Sequence, residues 1–366
     1  SRFVEEIHFS YVNGIVVVKA RVNGSERELE LILDTGAPTI LSSAAIKELG
    51  VKDITPSFVT DRPTGTLVES RFYRIDRLEL GNVVFSDVGA MSMDSSMMGK
   101  LSCLAADGIL GCNVTGACCM RMDYKAGKIV LTDDIASLER IDGAFGVGFR
   151  TGSQKTPVMR IVLCDSIPVD VTFDTGCNGA LRLHAPDVLA SGRTGRSARR
   201  TGRPSFTARG ESPPDSAVAE ILYLADRIAV GDAVFNDVPL ELSMGTDESG
   251  RNLLGNRFLE NFVVTLDSPN ERIWFAPAGV DGLSRVEPVL GLTYGPYGGV
   301  VLVGTVYEGS EAAECGISPG DTIVAINGVD VSNPSPVEEC GMFRDELKFA
   351  GDGDESVSLE IVSDGK

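Results

Sequence analysis

The chain has 366 residues, which exceeds one ordinary hydrophobic core and fits roughly two or three domains. Its hydrophobic content of 43% is enough for globular packing, and no apolar run approaches the ~20 residues of a membrane span. With 52 acidic and 33 basic residues the net charge is −19, which disfavours nucleic acid and anionic membranes as partners.

The first informative element is a predicted strand that ends in a carboxylate-bearing turn. Residues 29–33 are a run of β-forming residues, and Asp34-Thr35-Gly36 follows them directly. The glycine makes a tight turn, so the Asp side chain is placed at the end of the strand. One such tripeptide is a common strand ending and carries little functional information by itself.

Two further elements follow in the first half of the chain. Ser42 or Ser43 begins a predicted core-facing helix that Gly50 ends. Between two predicted strands, Pro63, Thr64 and Gly65 are typical of a turn and predict the tip of a hairpin.

The second half repeats the strand and its Asp turn. Residues 169–173 are again β-formers, and Asp174-Thr175-Gly176 follows them 140 residues after the first motif. Strands that end in such turns can bring two Asp side chains from separate lobes together around one water. Because like charges that close cannot both ionise easily, one carboxyl keeps its proton while the other acts as a base.

The repeat extends beyond the tripeptides. Residues 77–88 are echoed at 227–238, Ile109-Leu110-Gly111 at Leu253-Leu254-Gly255, and residues 122–131 at 266–275. Internal duplication of this kind indicates two copies of one domain with a site at their interface. Residues 10–140 and 145–278 are therefore predicted to superpose.

These motifs resemble the pepsin and retropepsin aspartic proteases, over residues from about 10 to 278. The resemblance implies that Asp34 and Asp174 are catalytic and that Thr35, Gly36, Thr175 and Gly176 hold the two carboxylates in place. It implies that residues 109–111 and 253–255 thread beneath the two Asp turns and brace them. It also implies that the hairpin tip at Pro63, Thr64 and Gly65 is a flap over a cleft that takes a polypeptide substrate.

The flap tyrosine of pepsin-like enzymes has no secure counterpart in this sequence. Tyr73 is the nearest candidate, but it lies well along the returning strand, where a packing role is equally consistent. Two alternatives to an active peptidase stay open: a scaffold that binds peptides in the cleft without cutting them, and a latent protease whose access is controlled. The two retained Asp residues favour the enzyme.

A third domain follows the repeat. An apolar strand at 299–303, a short helix after Ser310 that Gly316 ends, and the segment 317–329 with Pro319-Gly320-Asp321 and Asn327-Gly328 follow in order. This pattern resembles a bacterial PDZ domain. The resemblance implies that Leu290, Gly291 and Leu292 offer backbone N–H groups to the terminal carboxylate of a bound peptide.

The eight cysteines and two histidines form no Cys-x-x-Cys motif and no metal-ligand cluster, so no metal or cofactor is predicted. One disulfide among Cys103, Cys112, Cys118 and Cys119 is compatible with the sequence, and most other thiols are expected to be buried. The chain begins at Ser1 instead of Met, so a leader or a tag is expected to have been removed. A removed leader fits an exported protein that is periplasmic, secreted or lipid-anchored.

The sequence thus predicts an all-β, two-lobed acid protease fold formed by internal duplication, followed by a small α+β PDZ domain. The predicted boundaries are 1–140 and 141–282 for the two lobes and 283–366 for the PDZ domain. The predicted activity is an aspartic endopeptidase, with a possible peptide C-terminus bound at the PDZ domain.

Overall fold

A computed structural model describes fourteen stretches of the chain. They are residues 3–54, 58–61, 67–93, 103–104, 107–184, 198–200, 220–225, 227–236, 238–243, 252–278, 291–297, 299–306, 310–344 and 356–363. Within these ranges strands predominate, and no helix is long and apolar enough to cross a bilayer.

The described part of the N-terminal lobe is built of short strands with two short helices. Its strands are β1 (Val4–Val12), β2 (Ile15–Val22), β3 (Leu29–Asp34), β4 (Ile40–Ser42), β5 (Lys52–Asp53), β6 (Phe58–Asp61), β7 (Leu67–Ser70), β8 (Phe72–Leu80), β9 (Val83–Met93), β10 (Gly108–Gly111), β11 (Cys119–Asp123) and β12 (Lys128–Thr132). Its helices are α1 (Ser43–Glu48), which Ser42 caps as predicted, and α2 (Cys112–Thr115).

The C-terminal lobe has the same organisation. Its strands are β13 (Phe145–Thr151), β14 (Pro157–Leu163), β15 (Ile167–Phe173), β16 (Leu181–His184), β17 (Ala198–Arg200), β18 (Glu220–Ala225), β19 (Ile228–Val230), β20 (Ala233–Phe235), β21 (Val238–Ser243), β22 (Leu253–Leu254), β23 (Phe262–Asp267) and β24 (Arg272–Pro277). One helix, α3 (Asn256–Leu259), follows β22.

The pairing around each Asp turn is the same in both lobes. β3 pairs in parallel with β10, with Leu33 opposite Leu110, and β15 pairs in parallel with β22, with Phe173 opposite Leu254. On its other side β10 pairs antiparallel with β4, just as β22 pairs antiparallel with β16. The two lobes therefore repeat one topology, as the internal repeat predicts.

A shared sheet joins the lobes. β1, β12, β11, β23, β24 and β13 form an antiparallel sheet in that order. Its centre is the pairing of β11 with β23, where Met122 lies opposite Val264. Each lobe contributes three neighbouring strands of this interlobe sheet, so the junction is continuous with the cores on both sides.

Alternation along the strands explains how the core forms. In β2, Val16, Val18 and Ala20 are buried in the main core while Lys19 and Arg21 are exposed. The largest fully buried side chains include Phe173, Phe258 and Phe275, each worth about 2–3 kcal/mol on burial. This packing gives the Asp turns a rigid base.

The predicted PDZ domain is, over its described residues, a small sheet with two helices. Its strands are β25 (Leu292–Tyr297), β26 (Val300–Val306), β27 (Thr322–Ile326), β28 (Val329–Asp330) and β29 (Leu359–Val362), and its helices are α4 (Glu311–Glu314) and α5 (Pro336–Phe343). The Ser310 hydroxyl accepts from the Ala313 N–H at 3.2 Å and caps α4, as the sequence predicts.

The cysteine expectation needs a correction. Cys103 forms a disulfide with Cys340 of α5, 237 residues away, and not with another cysteine of the N-terminal lobe. Cys112, Cys118 and Cys119 are buried free thiols, whereas Cys315 is exposed. The partner was not predictable because the pairing depends on how α5 lies against the N-terminal lobe.

Candidate active site

The two Asp turns meet at the junction of the lobes. Asp34 ends β3 and Asp174 follows β15, and the glycine of each turn lies against the carboxyl of the other turn. Asp174 is 8% exposed. The structure thus brings together two carboxyls that lie on separate lobes of the chain.

Equivalent backbone donors hold the two carboxyls. The Gly36 N–H donates to Asp34 Oδ1 and the Gly176 N–H donates to Asp174 Oδ1, each at 2.8 Å. Each glycine also faces the opposite carboxyl. A Cβ at Gly36 would lie 2.6 Å from Asp174 Cγ, and one at Gly176 would overlap the Asp34 carboxyl. The close approach of the turns therefore requires glycine at both positions.

Thr35 and Thr175 cross-link the turns. The Thr35 hydroxyl donates to the Phe173 carbonyl at 2.6 Å and accepts from the Thr175 N–H at 3.1 Å. The Thr175 hydroxyl donates to the Leu33 carbonyl at 2.8 Å and accepts from the Thr35 N–H at 3.1 Å. Both side chains are fully buried, so four hydrogen bonds fix one turn against the other.

The Leu-Gly segments brace the turns from beneath. Gly111 pairs with Asp34 in the parallel ladder, and the Cys112 N–H donates to the Ala37 carbonyl at 2.8 Å. In the other lobe the Asn256 N–H donates to the Cys177 carbonyl at the same distance. A Cβ at Gly255 would lie 2.6 Å from that carbonyl oxygen, so the strand can pass this close only as glycine.

The electrostatics favour a shared proton. Burial, and next the charge and hydrogen bond of Asp174, hold the pKa of Asp34 well above its usual value. The N–H groups of Gly36 and Ala37 act in the opposite direction because they stabilise the carboxylate. Two carboxyls this close cannot both ionise easily, so their titrations are coupled.

The structure describes the predicted flap only in part. Pro63, Thr64 and Gly65 lie outside the described residues, but the strands on either side, β6 and β7, pair with Asp61 opposite Leu67. A flap role for the tip stays a prediction. Tyr73 lies in β8 opposite Ala90 and packs against the N-lobe core.

The PDZ site is described in part. Leu290 lies outside the described residues, whereas Gly291 has φ +78° and Leu292 begins β25. The Ser310 hydroxyl donates to the Gly291 carbonyl at 3.1 Å, and a Cβ on Gly291 would lie 2.5 Å from Ser310 Cβ. The turn requires glycine, and carboxylate binding there stays a prediction.

The sequence did not predict a role for the residue that follows each Leu-Gly pair. Cys112 and Asn256 are the first residues of α2 and α3, and both are almost fully buried beside the dyad of Asp34 and Asp174. The repeat itself marks them, because they occupy the same place in the two copies. Their equivalence is not evident from the sequence because one residue is a thiol and the other an amide.

Two β-lobes that share a sheet and bring an Asp-Thr-Gly turn from each lobe into contact are the arrangement that the sequence resemblance to the aspartic proteases implies. An aspartyl protease family model matches residues 18–114, a range that contains Asp34 and its brace, and a PDZ domain model matches residues 302–342. Residues 18–114 are thus similar to an aspartyl protease domain, and residues 302–342 are similar to a PDZ domain.

Among solved structures, an aspartic proteinase from Irpex lacteus is similar to this chain. The two are 14% identical, with a TM-score of 0.46, and the match covers 77% of this chain and 99% of that one. No curated protein matches this chain in sequence.

Proposed function

We propose that this protein is an aspartic endopeptidase in which Asp34 and Asp174 share a proton and activate a water. The observation that carries the proposal is the close approach of the two Asp turns, in which each glycine faces the opposite carboxyl and each carboxyl accepts from its own glycine N–H. Two structural carboxylates would be placed apart or paired with cations, because mutual contact between them is costly. The contact is useful only where one proton must be shared.

The chemistry follows from that shared proton. The ionised carboxyl takes a proton from the water while the water oxygen attacks the carbon of the peptide carbonyl. The protonated carboxyl donates to the carbonyl oxygen, which becomes a hydroxyl of the tetrahedral intermediate. Collapse of that intermediate breaks the C–N bond, and the leaving nitrogen receives the proton that the first carboxyl took up. The second carboxyl regains a proton from a hydroxyl of the intermediate as the product carboxyl forms. The dyad thereby returns to its starting protonation state.

The PDZ domain is proposed to recruit substrates by a peptide C-terminus. The glycine turn at Gly291 and the edge that begins at Leu292 support this, because such a turn can present backbone N–H groups to a carboxylate. An exported location is also part of the proposal. The Cys103–Cys340 disulfide supports it, since disulfides persist in oxidising compartments.

The test is isosteric replacement of each Asp. Asp34→Asn and Asp174→Asn should each lower hydrolysis of an unfolded protein substrate by at least about 1,000-fold while the chain stays folded, because neither variant can share a proton. Asp267→Asn is the matched control: Asp267 is 2% exposed and accepts from the Asn270 amide, away from the dyad. Full activity in either dyad variant would exclude this mechanism, and an inactive wild type over a broad pH range would favour a peptide-binding scaffold.

A further inference from the structure

A pair of side chains crosses between the lobes beneath the dyad. Asn256 Nδ2 donates to the Gly14 carbonyl at 2.7 Å, and Cys112 Sγ donates to the Gln154 carbonyl at 2.6 Å. Gly14 lies between β1 and β2, and Gln154 lies between β13 and β14, so the two acceptors occupy matching turns. Each lobe thus reaches from the residue after its brace to the first turn of the other lobe.

Asn256 makes the more extensive set of contacts. Its amide also donates to the Thr175 carbonyl at 2.7 Å, and its oxygen accepts from the Tyr124 hydroxyl at 2.7 Å. Asn256 is fully buried, and burial raises the pKa of Tyr124 well above its usual value, so that hydroxyl stays a donor. The orientation of the amide is therefore set, with both N–H groups directed at carbonyls.

The contact with Thr175 reaches the dyad through one peptide group. The Thr175 carbonyl and the Gly176 N–H belong to the same planar unit, and that N–H donates to Asp174 Oδ1 at 2.8 Å. Whatever fixes the carbonyl therefore also aims the N–H. The other hydrogen of the Asn256 amide donates to the Gly14 carbonyl of the N-terminal lobe. Asn256 therefore fixes the position of the Thr175–Gly176 peptide relative to that lobe.

Cys112 is a weaker counterpart. A thiol is a weak donor with one hydrogen, so it can hold the opposite turn but cannot also hold a peptide of its own lobe. Burial, with a smaller contribution from the charge of Asp34, raises the pKa of Cys112 to about 11, which keeps the donor hydrogen in place. The two sides of the dyad are thus supported unequally.

We infer that Asn256 is a positioning residue for Asp174. Asn256 acts through the Thr175–Gly176 peptide, which it holds in a fixed position relative to the N-terminal lobe. The inference rests on the proposed function of the dyad. On this inference, Asn256 of the C-terminal lobe controls the geometry of the dyad more strongly than Cys112 of the N-terminal lobe does.

The experiment compares Asn256→Ala with Asn261→Ala in the full chain. Asn261 is the matched control, because its Nδ2 also donates to two carbonyls, those of Arg257 and Phe258, within its own lobe. Asn256→Ala should lower kcat about 10- to 100-fold with KM within about twofold, since misplacing a catalytic group affects the transition state. Asn261→Ala should keep wild-type kcat.

A milder variant guards against misfolding. Tyr124→Phe removes only the hydroxyl that orients the amide and should lower kcat about two- to fivefold. Equal kcat in the Asn256→Ala and Asn261→Ala proteins would overturn the inference, as would an unchanged kcat in Tyr124→Phe.

Hydrogen–deuterium exchange gives a readout that does not need activity. Segments 12–18 and 172–178 should both exchange about tenfold faster in Asn256→Ala, and neither should change in Asn261→Ala. If the wild type hydrolyses nothing, the proposed function fails while exchange still decides the positioning role. Unchanged exchange in both segments would refute it even in an active enzyme.

Discussion

Removal of one buried hydroxyl between the Asp turns should separate stability from catalysis. Thr35→Val keeps the shape of the side chain but deletes the group that donates to the Phe173 carbonyl and accepts from the Thr175 N–H. Both backbone groups lie in the fully buried junction of the turns. Valine can satisfy neither.

The expected magnitude follows from those two groups. A buried donor or acceptor that loses its partner costs about 1–3 kcal/mol, so Thr35→Val should lower the free energy of unfolding by about 2–6 kcal/mol. Thr132→Val is a close match as a control, because the fully buried Thr132 hydroxyl donates to the Phe3 carbonyl at 2.7 Å and accepts from the Asp134 N–H at 3.1 Å. Its loss of stability should be smaller, because Phe3 and Asp134 are only part-buried and their backbone groups can bind water instead.

Activity should distinguish the two variants. Hydrolysis of an unfolded protein substrate, measured well below the urea midpoint of each variant, should fall about 100-fold in Thr35→Val, because the turns lose their mutual alignment. Thr132→Val should keep wild-type activity, and Thr35→Ser should restore much of what Thr35→Val loses. If Thr35→Val cleaves at the wild-type rate, or both Val variants lose activity equally, the cross-linked turns do not position the dyad.

Three other outcomes are expected. The folded chain retains a proton on Asp34 that the unfolded chain releases, so stability should fall as pH rises from about 4 through the raised pKa, and Asp34→Asn should remove that fall in urea titrations. Activity should follow a bell in mildly acidic to near-neutral conditions, and Ala37→Ser with Cys177→Ser should move its acid limb downward, because each hydroxyl can donate to an ionised carboxylate; an unmoved limb would show that other groups set the pKa values. Ending the chain at 282, with Cys103→Ser to remove the unpaired thiol, should spare short-peptide cleavage but weaken cleavage of substrates with a fitting tail, and loss of all activity would make the PDZ domain structural.

Local patterns predicted the two lobes well. A β-forming run followed by Asp-Thr-Gly is visible in a few residues, and its recurrence at Asp174 with the later Leu-Gly pair indicates a duplicated fold. The helix after Ser42 and the one after Ser310 were predictable for the same reason, since a capping serine acts within a single turn.

Contacts between distant segments were not predictable. The Cys103–Cys340 disulfide requires α5 to lie beside the N-terminal lobe, and eight cysteines allow many pairings. The crossing of Asn256 to Gly14 likewise depends on how the two lobes meet, a relation that spans 242 residues. Sequence alone marks Asn256 as the residue after a repeated Leu-Gly pair, but it does not show what that side chain or the cysteines contact.

The most direct test of the shared-proton dyad is the binding of a peptide whose scissile amide is replaced by a hydroxyethylene group. In a crystal structure of the complex, the hydroxyl of the hydroxyethylene group should lie between the Asp34 and Asp174 carboxyls, where the attacking water would be. In wild type it should bind at least about 100-fold more tightly than the methylene analogue, because it mimics the tetrahedral intermediate. Asp34→Asn should remove most of that preference. Equal affinity of the two analogues for the wild type would contradict the account.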